Sequence, residues 1–320
     1  MLIDVGCSSG IDVGWRAFGS RLSGFGFDPN VEEVARLNAR ERNPAFTYIP
    51  AFVGVPDHHP LAPQAKGNAY WSRIPWGRLS IAKTLELRQA KIDTASLEEK
   101  IRLNAWQSVQ LADPDAPVFL PAFIDEKDRD VDFIKIDVDG ADYILLQTLT
   151  DVLDTRKILG LCIEVNYFGS DKDTDHTFHN VDRLMKKAGF ELFGLSVRTY
   201  AMAALPARYT YSSPSQSIKG RPLQGDAVYI RDIGAPEQEK FAKALSSEKL
   251  AKLAAVFALF DLPDCAAEVV LKHRDALSSL FDTDQALDIL AHQLQPAGSD
   301  LSYQEYIQAF EEDAPLFYPT

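Results

Sequence analysis

Asp4, Gly6, Ser8 and Gly10 stand within one short stretch, directly behind the apolar run Met1-Leu2-Ile3. A buried strand that ends in an acid and runs into a glycine-bearing turn lets backbone approach a small ligand, because glycine reaches positive φ at little steric cost. A dinucleotide fingerprint would read G-x-G-x-x-G. Here Ser8 stands where the middle glycine would be, and Ile11-Asp12 is an acidic start for a phosphate-cradling helix. Asp28 follows 18 residues beyond Gly10, at the end of a second strand-like stretch. A carboxylate there accepts both hydroxyls of a ribose. The pattern suits a nucleoside cofactor without a pyrophosphate, S-adenosylmethionine (SAM). Gly6, Ser8 and Gly10 would meet its amino-acid end, Asp4 would balance its ammonium group and Asp28 would hold its sugar.

Methyl transfer from a sulfonium is an in-line displacement, so a protein using SAM aligns an oxygen nucleophile and helps remove its proton. Asp137 and Glu164 end two strongly apolar runs, with Asn166 close behind. Acids at strand carboxyl ends face the ligand crevice of an α/β sheet. Asp137 is therefore expected both at the cofactor and in catalysis, against the plainer reading of a carboxylate that starts the next helix. For Asp139 and Asp142 that helix-start reading is preferred, since exposed N–H groups favour acids in the first turn. Glu164 closes KILGLCI, where an uncompensated carboxylate is costly, so a catalytic part is expected. His176 and His179 share a helix face by spacing. His176 is the expected general base, an imidazole being suited to proton removal near neutral pH. The alternative is a divalent cation, not predicted as a cofactor, held by Asp137, Glu164 and Asn166. Asp226 in QGDA either faces the same crevice or shapes a turn.

These residues need a scaffold, and up to about residue 232 the sequence alternates strand and helix. LIDV, SGFGF (23–27), FTYIPAFVG (46–54), VDFIKIDV (131–138) and KILGLCIEV (157–165) read as strands, with more near 190–198 and 226–231. Helices are expected over 12–21, 31–41, just past Gly140 and over 175–188. In the second of these, Asn30 is the N-cap, and Val31, Val34, Ala35 and Leu37 form one face. The third carries Ile144, Leu145, Leu149 and Val152. This predicts an open, Rossmann-like α/β sheet with helices on both faces. Residues 58–118 interrupt it after the third strand as an insertion, a lid or an elaboration. Aromatic residues (Tyr70, Trp71, Trp76) open it, and a capping box at Ser96 and Glu99 precedes a helix through Ile101, Leu103 and Trp106. From 235 to 320 strand character disappears and an acidic α-helical region is expected.

The net charge of −13 opposes a nucleic-acid or anionic-membrane partner. Residues 235–320 supply −9 of it, whereas 58–112 are +4, read first as a mixed solvated surface and alternatively as a basic cover over a site for an anionic substrate. Apolar runs are too short to span a bilayer, no leader precedes the first strand, and the three cysteines are far apart. A reduced, cytoplasmic protein is expected.

IDVGCSSG (3–10), FGFDPN (25–30), VDFIKIDVDGADYILLQTL (131–149) and LCIEVNYFGS (161–170) together resemble the FkbM family of SAM-dependent methyltransferases. HTFHNVDRLMKKAGFELFGL (176–195) and LQGDAVYIRD (223–232) are similar to it as well. The resemblance covers about residues 1–232, and its most specific part is the D-G-A-D unit after the fourth strand. It implies a class I methyltransferase sheet, SAM as cofactor and O-methylation of a sugar, glycan precursor or related metabolite. Two departures stand out. Asp139 and Asp142 replace the family's usual glutamates, and the helices that usually precede the first strand are missing. The start is then truncated, or another element such as the helical tail covers that edge. The alternatives are a non-catalytic scaffold whose helical tail binds a protein partner or a second copy, and a nicotinamide-dependent oxidoreductase, which Ser8 opposes. A nucleic-acid methyltransferase is opposed by the acidic balance.

Overall fold

The computed structural model describes residues 1–65, 110–127, 130–138, 140–200, 220–296 and 298–313. The helix expected within the insertion, its aromatic residues and Asp139 lie outside the described residues. The chain divides into two compact units, Met1–Ile230 and Arg231–Thr320.

In the first unit the strands are β1 (Leu2–Val5), β2 (Gly24–Asp28), β3 (Phe46–Pro50), β4 (Phe133–Ile136), β5 (Gly160–Asn166), β6 (Glu191–Leu195), β7 (Arg198–Tyr200) and β8 (Arg221–Ile230). They form one sheet in the order β3-β2-β1-β4-β5-β8-β6, with β7 also on β8. β1 to β5 are parallel, whereas β8 runs antiparallel between β5 and β6. Parallel strands need crossovers, and here they include α1 (Val31–Arg40), α2 (Ala62–Ala65), α3 (Leu120–Lys127), α4 (Asp142–Thr148), α5 (Thr150–Thr155) and α6 (Phe178–Lys187). β4 and β5 share one fully apolar, covered face, on which Ile134, Ile136, Leu161 and Ile163 are inaccessible to solvent, whereas Lys135 and Cys162 alternate onto the other. Each of the four apolar side chains contributes about 1.5–3 kcal/mol through burial.

Local signals explain the element ends. Asn30 caps α1 by accepting from Glu33 N at 3.0 Å. Val34 and Leu37 are buried as expected, but Ala35 is exposed and Glu33 takes a buried place instead. The stretch 12–21 forms a 3-10 helix over Val13–Arg21, started by Asp12. β3 stops at Pro50, and Val53 keeps only an isolated bridge to Val118. The helix expected after Gly140 is two pieces, meeting at the buried Leu149.

The second unit is helical: α7 (Glu239–Lys243), α8 (Ser247–Leu259), α9 (Pro263–Lys272), α10 (Arg274–Leu277), α11 (Thr283–His292) and α12 (Tyr303–Glu312). Leu250, Leu253 and Phe257 of α8, Val269 and Val270 of α9 and Leu287 of α11 are buried within it. Ser302 and Glu305 form a capping box at the start of α12. Among the described residues no helix is long and apolar enough to cross a membrane.

Candidate active site

Strand order reverses between β1 and β4, and open α/β sheets bind ligands in the crevice beyond such a switch point. A cavity of about 560 Å³ opens there, lined by Gly6 and Ser8 after β1, Asp28 at the end of β2, and Lys135 and Asp137 from β4 and its exit. Separate stretches of chain are thereby brought to one crevice.

The turn after β1 is shaped for close packing. Gly6 has φ +85°, and a Cβ there would lie 1.8 Å from the Asp137 carbonyl oxygen. Gly6 N and Cys7 N both donate to Phe27 O, at 2.9 and 3.1 Å, which ties the turn to the end of β2. Ser9, itself at φ 71°, donates from its backbone to Glu33 Oε1 at 2.9 Å. Gly10 has φ +92° and, like Asp4, stands behind the lining rather than in it.

The carboxylates differ in environment. Asp28 is 2% exposed, and its Oδ1 accepts from Asn30 N at 2.8 Å. Burial pushes its carboxyl up to about 6, against the pull of that N–H. Asp4 is buried too, and burial raises its carboxyl while Lys135, with Nζ 3.5 Å from Oδ1, opposes the rise. Asp4 was expected to face the cofactor's ammonium, and in the structure it faces a cation of the protein. Lys135 also donates to Asp137 Oδ2 at 3.2 Å. Burial disfavours its charge, but Asp4 and Asp137 more than offset that and hold the ammonium above the ordinary lysine value. Sequence reasoning missed Lys135, although a lysine inside the apolar run FIKI was a usable signal.

Glu164 lies one strand further, 2% exposed. Its Oε1 accepts from Gln224 Nε2 at 2.6 Å and stands 3.6 Å from Arg198 Nη1. Arg198 also donates to Asp226 Oδ2 at 3.2 Å, so one guanidinium bridges acids on β5 and β8. The Ser196 hydroxyl donates to Asp226 Oδ2 at 3.0 Å. Asp226 therefore belongs to this charged cluster. Arg198 and Gln224 were not foreseen, because only strand pairing brings residues so far apart in sequence to Glu164.

His176 does not fit the role of general base. It precedes α6, is 5% exposed, and its Nε2 donates to the Glu164 carbonyl at 2.8 Å. Its Nδ1 accepts from Asn166 Nδ2 at 3.2 Å, with Asp142 Oδ2 at 3.7 Å. Both ring nitrogens are committed within the protein, which makes this a positioning histidine that joins β5 to the loop before α6. Among the described residues no group of three or more His, Cys, Asp or Glu is arranged to hold a metal ion. Asp142 is structural as expected: it is fully buried and accepts from Val138 N at 2.9 Å and Gly140 N at 2.8 Å.

A glycine turn on one side of the cavity and an acceptor carboxylate at the end of β2 on the other fit SAM. Ser8 and the backbone after β1 would meet its amino-acid part, and Asp28 its ribose hydroxyls.

No curated protein matches the chain. Among solved structures, it is similar to magnesium protoporphyrin IX methyltransferase (ChlM) from Synechocystis PCC 6803 with bound SAM. The identity is 7%, the match covers 72% of this chain and 69% of that one, and the TM-score is 0.28. The same enzyme with bound SAH gives 8% identity, 72% and 73% coverage and a TM-score of 0.29. A SAM-dependent methyltransferase from Methanosarcina mazei gives 10%, 72% and 91%, and 0.28. With likeness this low, the fold assignment stands on strand order and register. Residues 116–192, from just before α3 into β6, match the methyltransferase FkbM domain, which makes the α/β unit a methyltransferase and implies SAM as its cofactor.

Proposed function

We propose that the α/β unit transfers the methyl group of SAM to a hydroxyl of a sugar, glycan precursor or related metabolite. The observation that carries the reading is the cavity at the β1/β4 switch, where Asp28, Ser8 and Asp137 face one space. The acceptor class is what the resemblance of the sequence to the FkbM family implies. SAM, when bound, supplies an electrophilic methyl group. Asp28 holds the ribose hydroxyls, and the turn after β1, through Gly6 and Ser8, seats the amino-acid end.

Asp137 is the carboxylate best placed to take the hydroxyl's proton. Its side chain is 36% exposed, it lines the cavity, and Lys135 fixes its orientation. Glu164, buried against Gln224 and Arg198, sets the charge at the neighbouring strand end and positions the acceptor.

The test is transfer of radiolabelled methyl from SAM onto a panel of monosaccharides, sugar phosphates and uronic acids, followed by alkali treatment of the product. The expected product is an alkali-stable ether, and Asp137→Asn lowers its rate of formation at least ~100-fold. A SAM-binding protein that labels nothing on the panel overturns the sugar acceptor. An alkali-labile product marks a carboxyl methyltransferase.

A further inference from the structure

We propose that the acceptor is an anionic sugar, carrying a phosphate or a carboxylate, and that Lys172, Arg221 and His179 hold its charge in a second cavity beyond the end of β5. The proposal rests on the methyltransferase reading above and adds the acceptor's charge and seat to it.

This cavity, about 770 Å³, lies between the end of β5, the loop before α6, the first turn of α6 and the start of β8. Lys172, Arg221 and His179 are exposed side chains in its lining. Asp175 is the single acid among the described lining residues, and it is turned into its own loop: it is 8% exposed, and its Oδ2 accepts from Ser170 N at 2.6 Å and Ser170 Oγ at 2.9 Å. Asp171 and Asp173 flank Lys172 in sequence but are outside the lining. In a chain of net charge −13, a cavity whose outward charges are cationic selects an anion.

The rest of the lining suits a sugar ring. Tyr167 and Phe178 have ring centroids 5.7 Å apart and tilted by 39°, an aromatic corner for the apolar face of a pyranose. Ser170 and Thr174 supply hydroxyls beside it. The position also serves transfer. β5 is the immediate neighbour of β4, and adjacent strands lie about 4.8 Å apart. Both cavities therefore lie beyond the carboxyl ends of neighbouring strands, at the same end of the sheet.

The test is titration calorimetry of the full chain with glucose 6-phosphate, glucuronic acid and glucose, each with SAH present, for wild type and for Lys172→Ala/Arg221→Ala. Both substituted side chains are exposed, so folding is expected to persist, with SAH affinity as the internal control. The expected result is binding of one or both charged sugars, at least tenfold weaker in the double variant and weaker with added salt, and no binding of glucose. Preference for the phosphate or the uronic acid identifies the anionic group. Normal SAH binding with no charged sugar bound, or with sugar binding unchanged in the double variant, overturns the proposal and spares the methyltransferase reading. Absence of SAH binding in wild type overturns that reading first.

Discussion

The two units bury different kinds of side chain. The α/β unit encloses Asp4, Asp28, Glu33, Asp142, Glu164, Asn166, His176 and Gln224, most of them at or just beyond the carboxyl ends of its strands. The helical unit, by contrast, buries mainly Leu, Val, Phe and Ala, with Lys249, Thr283 and Arg231 the buried polar residues among those described. Arg231 there lies over the Phe241 ring at 4.1 Å. A buried carboxylate costs stability unless it is hydrogen-bonded or paired, so a unit that keeps several at one end is organised around a ligand. An apolar helical core needs no such explanation. Chemistry is therefore assigned to residues 1–230.

The most severe way to break this contrast is Gly6→Val. The new side chain would collide with the Asp137 carbonyl at a φ that favours glycine, so loss of the folded state in thermal unfolding is expected. Next is Glu164→Gln, which keeps an oxygen for Gln224 but removes the charge facing Arg198. Turnover should fall about 100-fold with SAM affinity unchanged by calorimetry. If turnover is unaltered, Glu164 has no part in the reaction.

Asp28 sharpens the comparison in two measurements. Asp28→Ala should weaken SAM binding by roughly 30-fold, about 2 kcal/mol, the range of one lost hydrogen bond to a charged acceptor. In wild type, ribose hydroxyls donate to the ionised carboxylate, whose folded value is raised to about 6. SAM binding should then be strong at pH 7 and about tenfold weaker at pH 5, a dependence absent in Asp28→Ala. For the free protein the sign is opposite. A carboxyl raised by burial favours the folded state below its unfolded value, and that contribution is lost as pH rises toward about 6. The smallest effect on the site is expected from Leu253→Ala, a fully buried position in α8. It should cost about 2–5 kcal/mol in the helical unit and leave SAM affinity as it was. A large change in affinity would show that the helical unit takes part in binding.

The site was legible where one short stretch carries the whole signal. The run from Asp4 to Gly10 and the strand-closing Asp28 show their types and spacing directly, and Gly6, Ser8 and Asp28 do line the cavity. His176 was misread because its spacing from His179 suggested a shared helix face. Whether its ring nitrogens were open depended on where the Glu164 carbonyl and the Asn166 amide came to lie. Lys135 was overlooked as one polar residue among apolar neighbours.

By itself the sequence determined the alternation of strands and helices, because apolar periodicity, caps and turn residues act over a few neighbours. It also determined where the helical region takes over, through the loss of strand-forming runs. Only the tertiary structure decided which side chains share a site. Arg198 reaches Glu164 and Asp226 because β7 and β5 both pair with β8. Lys135 stands between Asp4 and Asp137 because β4 lies in register beside β1, Asp4 opposite Lys135. Such pairings join residues tens to more than a hundred positions apart, and no local pattern encodes which distant strand becomes the neighbour.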